Sequence, residues 1–255
     1  YHRPQTPTGR LMNADNDYTA VITGGNKGIG ADLAQAMLAR GWRVVSIARH
    51  KGEASHPLLE HVEADLMDPA AVSRAASDIA ARHKVTHFIH NAGIILPNLI
   101  EDATPADIGA LAQLHLGAAL TLVQAFLPAM KARGFGRISF NASRAALGAK
   151  TRTAYSASKA GMIGMARTWA LELAEHGITV NVVAPGPILT DNFWGIVPKG
   201  SEQEADLASR LPVGRLGTPG DVTRAFLFFA EPENSFITGQ TLYVCGGASI
   251  GGVPI

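Results

Sequence analysis

The sequence predicts an α/β chain, a doubly wound parallel sheet in one domain, on three observations. From Thr19 onward, short β-branched runs alternate with longer amphipathic segments. The runs are apolar on both faces, as strands covered by helices on both sides must be. A glycine-rich turn follows the first run directly, at the point where a sheet of this kind opens toward a ligand.

The first strand is TAVIT, and the turn TGGNKGIG leads into a helix expected over about Ile29–Arg40. RVVSIA is the second strand, and a third precedes VEADL. A helix over about Ala70–Arg82 leads to VTHFIH, and a long helix over about Thr104–Ala132 leads to GRISF. A helix over about Ala154–Glu175 comes before ITVNVVA, and one over about Asp221–Ala230 before QTLYVC. This alternation, with right-handed crossovers, is a Rossmann-type architecture. Residues 19–255 read as one domain. The irregular stretch Pro185–Pro219 is long for a loop in a compact domain, which makes 190–215 the expected substrate lid. Residues 1–18 read as a disordered arm, with 1–11 vector-derived and Met12 as the natural start; the arm has no apolar core of the kind a secretory signal needs.

At 255 residues and 47% hydrophobic content, the chain can bury a large core. A net charge of +1 gives no electrostatic footprint for nucleic acid or an anionic membrane, so a small molecule is the expected partner. The single cysteine, Cys245, cannot form an internal disulfide, and no apolar run is read as reaching the ~20 residues of a membrane span. A cytoplasmic setting is expected.

Gly24, Gly28 and Gly30 stand between a strand and a helix, where a pyrophosphate approaches the backbone at a helix N-terminus. Asn26, Lys27 and Ile29 share that turn. The second strand ends SIARHK, so Ala48 occupies the place where a carboxylate would hold a free 2'-hydroxyl. Arg49 and Lys27 instead suit a 2'-phosphate, with His50 and Lys51 next to them. The expected cofactor is NADP(H).

AYSASKAG sets Tyr155 and Lys159 four residues apart at a helix start, so both project from one face. Bringing a phenol from ~10 to near neutrality takes roughly 4 kcal/mol. One ammonium ~4 Å away at an effective dielectric of ~20 supplies an interaction of that order. Ser143 in FNASR is placed to donate to an oxygen that becomes anionic.

Together these motifs resemble the classical short-chain dehydrogenases/reductases over nearly everything from Thr19 to Gly247, especially members like the 3-oxoacyl-(acyl-carrier-protein) reductases. The resemblance implies hydride transfer between the nicotinamide and a carbonyl or secondary alcohol, with Ser143, Tyr155 and Lys159 as the catalytic set, Tyr155 and Lys159 also contacting the cofactor and Lys159 holding its ribose. It assigns Asp65 and Leu66 to the adenine, and Asn91, Ala92 and Gly93 to the region beside the ribose. Pro185, Gly186, Ile188 and Thr190 in PGPILT fall to the nicotinamide carboxamide, and GQTLYVCGG to a subunit contact in a homotetramer. The Ser-to-Tyr interval is twelve residues, one shorter than in most of the family. His115 stands where the family usually has an asparagine supporting a water chain to the lysine. With an ordinary pKa of ~6.5, it could make that relay pH-sensitive.

The substrate pocket is expected to be lined by Leu96, Ala145, Leu147, Phe193 and Trp194, with Arg144, Lys150 and Arg152 at the rim to attract a carboxylate, CoA or phosphopantetheine. An acyl thioester ketone is favoured. Oxidation of a cyclic alcohol or diol remains an alternative within enzymes, and a non-catalytic nucleotide-sensing regulator is one from another class. His83 and His87 have metal-like spacing, but the strand period sends His87 and His90 to opposite faces and no carboxylates cluster nearby, so no metal site is expected.

Overall fold

The computed structural model describes residues 18–250, so the expected arm from 1 to 17 and the stretch 251–255 lie outside the described residues. Tyr18, assigned to that arm by the sequence, is packed instead. Its ring lies 5.1 Å from those of Trp42 and His87 and stacks on Phe135 at 5.6 Å.

Seven strands form one parallel sheet: β1 Thr19–Thr23, β2 Arg43–Ala48, β3 Leu59–Glu63, β4 His87–His90, β5 Gly136–Asn141, β6 Ile178–Pro185 and β7 Thr241–Val244. Their order is β3-β2-β1-β4-β5-β6-β7, which reverses direction between β1 and β4. One face packs on α1 Gly28–Leu38 and α8 Pro219–Ala230. The other packs on α2 Pro69–Arg82, α4 Ala118–Arg133 and α5 Thr153–Leu173, with Phe88, Phe126 and Phe140 fully buried among them. As the strand period requires, His87 reaches the Ala230 carbonyl on one side and His90 the Leu114 carbonyl on the other. Burial pushes both imidazoles down to about 3. Among the described residues, no group of three metal-ligating side chains occurs.

The long helix expected over Thr104–Ala132 is interrupted. α3 Pro105–Ala112 opens on a Thr104–Asp107 capping box, a π-turn follows over Gln113–Gly117, and α4 continues. The wide turn carries His115 into the interior. Contrary to the sequence expectation, the stretch Pro105–Arg133 is long and apolar enough by composition to cross a membrane. Its buried face, Leu122, Val123, Phe126 and Met130, is part of the core. The 190–215 stretch contains two short helices, α6 Asp191–Trp194 and α7 Glu202–Ser209, and is pinned by buried Val197 and Leu211.

Candidate active site

A cavity of about 880 Å³ opens at the C-terminal ends of the strands, across the β1/β4 reversal. Gly24 and Gly28 take positive φ of 67° and 53°, the left-handed region that other residues enter only at a cost. A Cβ on Gly30 would lie 2.1 Å from the Gly24 carbonyl oxygen, so the helix can approach the loop only without one. α1 starts from an extended Lys27 with no side-chain cap and no acid in its first turn, leaving its N–H groups for an anion. Asn91 fixes the loop. Its amide donates to the carbonyls of Thr23 (3.1 Å) and Gly24 (3.2 Å), and its oxygen accepts from Asn141 Nδ2 at 2.8 Å.

Asn26 donates to the His50 carbonyl at 3.1 Å, bringing the glycine loop against the end of β2. Lys27, Arg49 and His50 all line that end of the cavity, followed by Asp65, Leu66, Ala92 and Gly93. Asp65 accepts the Met67 N–H at 2.9 Å. Across the cleft, Pro185, Gly186 and Ile188 line the wall, and Thr190 faces Gly28, its methyl 3.3 Å from where a Cβ would sit. A bare helix terminus, glycines without room for side chains, and cations at the far end together fit a pyridine dinucleotide.

Ser143 follows β5 and caps a 3-10 turn, Arg144–Leu147, by accepting the Ala145 N–H at 3.1 Å. The phenol of Tyr155, in the first turn of α5, lies within electrostatic reach of that hydroxyl. Burial pushes that phenol up, and Ser143 and then the Arg152 guanidinium pull it down. Lys159 does not behave as the two-charge estimate expects. Its Nζ lies 5.6 Å from the Tyr155 ring centre and donates to the Asn141 carbonyl at 2.7 Å. With no carboxylate among its hydrogen-bond partners in the described residues, burial lowers its pKa to about 7, so the ammonium is only partly present at neutrality.

His115 is fully buried, with its Nδ1 2.8 Å from Ser158 Oγ. Ser158 already donates to the Tyr155 carbonyl at 3.0 Å, so Nδ1 carries the proton and Nε2 presents a lone pair. That Nε2 has no partner among the described residues. It and Lys159 Nζ lie 2.9 and 3.3 Å from where a Gly93 Cβ would be, so only glycine leaves the space between them open. Burial, with Lys159 and His90 adding to it, holds the imidazole neutral, so His115 is no titrating switch near pH 6.5.

Arg144, Ala145 and Phe193 line the substrate half, as do Lys150 and Arg152. Three expected wall residues do not. Leu96 packs into the core cluster, Leu147 faces outward at the end of its 3-10 turn, and Trp194 lies edge-on to Phe193 beneath Lys199. Ile94, Ile196 and Arg210 line the cavity without having been predicted. Asn141 and Ser158 were missed too. Each acts through a partner 18 or more residues away, a pairing no local motif records.

Comparison with known proteins assigns the class. A family model described as enoyl-(acyl carrier protein) reductase matches residues 24–249. The chain belongs to the short-chain dehydrogenase/reductase family and is an oxidoreductase acting on CH–OH or C=O groups. BbsD of Thauera aromatica, a hydroxy(phenyl)methylsuccinyl-CoA dehydrogenase subunit, is 37% identical, covering 91% of this chain and 96% of the relative. The 3-oxoacyl-(acyl-carrier-protein) reductase FabG of Escherichia coli is 32% identical, covering 89% and 96%. Among solved structures, a putative NAD(P)-dependent gluconate 5-dehydrogenase from Beutenbergia cavernae with bound NADP superposes with a TM-score of 0.82 at 34% identity, covering 90% and 96%.

Proposed function

We propose that the protein reduces a ketone to a secondary alcohol with NADPH. A 3-oxoacyl thioester or similar ketone is the first substrate class to test. The observation that carries this reading is one continuous cleft, with Lys27 and Arg49 at one end and Ser143, Tyr155 and Lys159 at the other. When bound, NADPH supplies the hydride. Lys27, Arg49 and His50 hold the 2'-phosphate, the glycine loop and α1 N–H groups hold the diphosphate, and Lys159 holds the ribose. Asp65 and Leu66 take the adenine, and Ile188 and Thr190 the carboxamide. The NADP bound in the Beutenbergia structure supports the same choice.

Ser143 donates to the substrate oxygen, and Tyr155 delivers its phenolic proton to it. A phenol pushed up by burial keeps its proton at neutral pH, the protonation state in which it can act as the acid. Lys159, titrating near 7, resupplies the proton, and the lone pair of His115 holds the donor side of that relay. Assembly as a homotetramer belongs to the same reading, supported by exposed Phe228, Phe236 and Leu242 near edge strand β7, as does a cytoplasmic location. Sedimentation velocity checks the assembly.

The test is loss of NADPH absorbance across a ketone panel, alongside Arg49→Asp. That variant should weaken NADPH by at least ~30-fold and NADH by less than ~3-fold, the scale of a lost bidentate phosphate pair. Equal losses overturn the cofactor choice. Turnover only with NADP and alcohols favours the degradative dehydrogenase, and no turnover at all favours the regulator.

A further inference from the structure

We propose that Arg152 is a specificity residue that holds an oxyanion of the substrate, carboxylate or phosphate, close to the carbonyl reduced at Tyr155. The inference rests on the ketone-reductase reading and narrows it to a ketone that carries its own oxyanion, in place of the 3-oxoacyl thioester.

The substrate half of the cavity holds more positive charge than the nucleotide requires. Arg144, Lys150, Arg152 and Arg210 line it against one carboxylate, Asp191. The 2'-phosphate end has its own cations, Lys27 and Arg49. Of the four, Lys150 is exposed, Arg210 is engaged by Asp206 at 2.8 Å, and Arg144, half-buried like Arg152, is not among the groups that act on the Tyr155 phenol. Arg152 is half-buried, and among the described residues no carboxylate pairs with it. Its Nη1 donates to the Thr151 hydroxyl at 2.7 Å and the Thr151 carbonyl at 3.3 Å, while Nε and Nη2 have no partner among the described residues. The free Nε and Nη2 form the planar edge of a guanidinium that suits a two-point contact with an oxyanion in the cavity.

The backbone is arranged to present this side chain. Thr151 has φ 63°, the one non-glycine residue with positive φ among those described. A β-branched residue pays for that conformation, and such strain persists only where neighbours enforce it. Asn98 is the enforcer, since its N–H donates to the Thr151 carbonyl at 3.1 Å and its side chain is tied to Asp107 at 3.2 Å. Arg152 is the N-cap of α5, three residues before Tyr155, and lines the same cavity. The nearness is electrostatic as well, since Arg152 pulls the phenol down. An oxyanion bound there lies within a few bonds of the carbonyl that meets Ser143 and Tyr155.

The experiment measures NADPH-linked turnover of acetoacetate and longer linear oxo-carboxylates, their methyl esters and thioesters, and dihydroxyacetone phosphate, by wild type, Arg152→Gln and Arg152→Lys. Wild type should prefer an acid over its ester by at least ~10-fold in kcat/KM, as expected for one charge-assisted hydrogen-bonded pair. Arg152→Gln should abolish the preference through KM, and Arg152→Lys should restore part of it. A preference for dihydroxyacetone phosphate over every oxo acid assigns the oxyanion to phosphate. The proposal is overturned if wild type turns over esters or thioesters as well as acids. Equal losses on acid and ester in Arg152→Gln, with the pH profile displaced, would also overturn it, because Arg152 would then act through Tyr155 alone. Should Arg152→Gln not fold, the wild-type preference and the Lys variant decide. Failure of every ketone despite NADPH binding would refute the reductase reading itself.

Discussion

The two halves of the cleft are built differently. The nucleotide half is fixed by strand ends and backbone: β1, the glycine loop and β4 are joined through Asn91, and β4 to β5 through Asn141. The substrate half is assembled from a 3-10 turn, the short α6 and α7, each held by a local side-chain cap, and the first turn of α5, which has none. In the first half, backbone sterics dictate residue type. In the second, short turns present side chains, among them a half-buried Arg152 with no carboxylate partner among the described residues and a Thr151 with positive φ.

The sharpest way to separate the halves is Tyr155→Phe. Removing the phenolic proton should lower kcat by about 10³-fold, within the range of general acid catalysis, while NADPH affinity changes less than about 2-fold. Steady-state rates with a fluorescence titration of nucleotide check this. A matching loss of nucleotide affinity would mean that the halves are not independent.

Gly30→Ala probes the other half. The new methyl would meet the Gly24 oxygen at 2.1 Å and Asn91 Nδ2 at 2.6 Å, so the loop must open. Overpacking of this kind costs about 3 kcal/mol, a fall in melting temperature of roughly 8 °C, and nucleotide binding should go with it. Gly109→Ala, in α3 with nothing within 4 Å of the added carbon, should instead raise stability by about 0.5 kcal/mol. Thermal melts of both measure the contrast.

Lys159 joins the halves, and its burial predicts a pH signature. Its pKa falls from 10.5 unfolded to about 7 folded, so between those values the unfolded chain binds the extra proton. Stability should therefore rise from pH 7 toward 10, and below pH 7 the full cost of burying the ammonium remains. Lys159→Met should melt higher at pH 6, by at least ~4 °C, and should lose that rise with pH, although catalysis collapses. Melting curves from pH 6 to 10 decide it. A lower Tm at pH 6 would show that the ammonium is compensated in the fold.

These contrasts explain what the sequence could reveal. The glycine loop, Ser143, Tyr155 and Lys159 were legible because each motif is local and its context, strand then turn then helix, is visible in hydrophobic period. The effect of Lys159 on Tyr155 was misjudged because a two-charge estimate counts attraction and omits desolvation, the larger effect for both groups. The π-turn at His115 was invisible because one wide turn barely disturbs a helical period. Leu96, Leu147 and Trp194 were misplaced because apolar character does not say which side of a short irregular turn a residue faces.

Thr151→Gly gives the smallest expected effect and the most specific. Glycine accepts φ 63° freely, so the variant should gain about 1 kcal/mol from released strain, less the entropy that glycine loses on folding, for a rise in Tm of at most ~3 °C. It also removes the hydroxyl that anchors Arg152 Nη1. If the strain exists to aim that guanidinium, KM for an oxo-carboxylate should rise a few-fold while KM for its ester stays put. A gain in stability with both KM values unchanged would make the strained turn a tolerated accident of the shortened Ser143–Tyr155 loop, and the substrate half would then owe its form to chain length, not to its ligand.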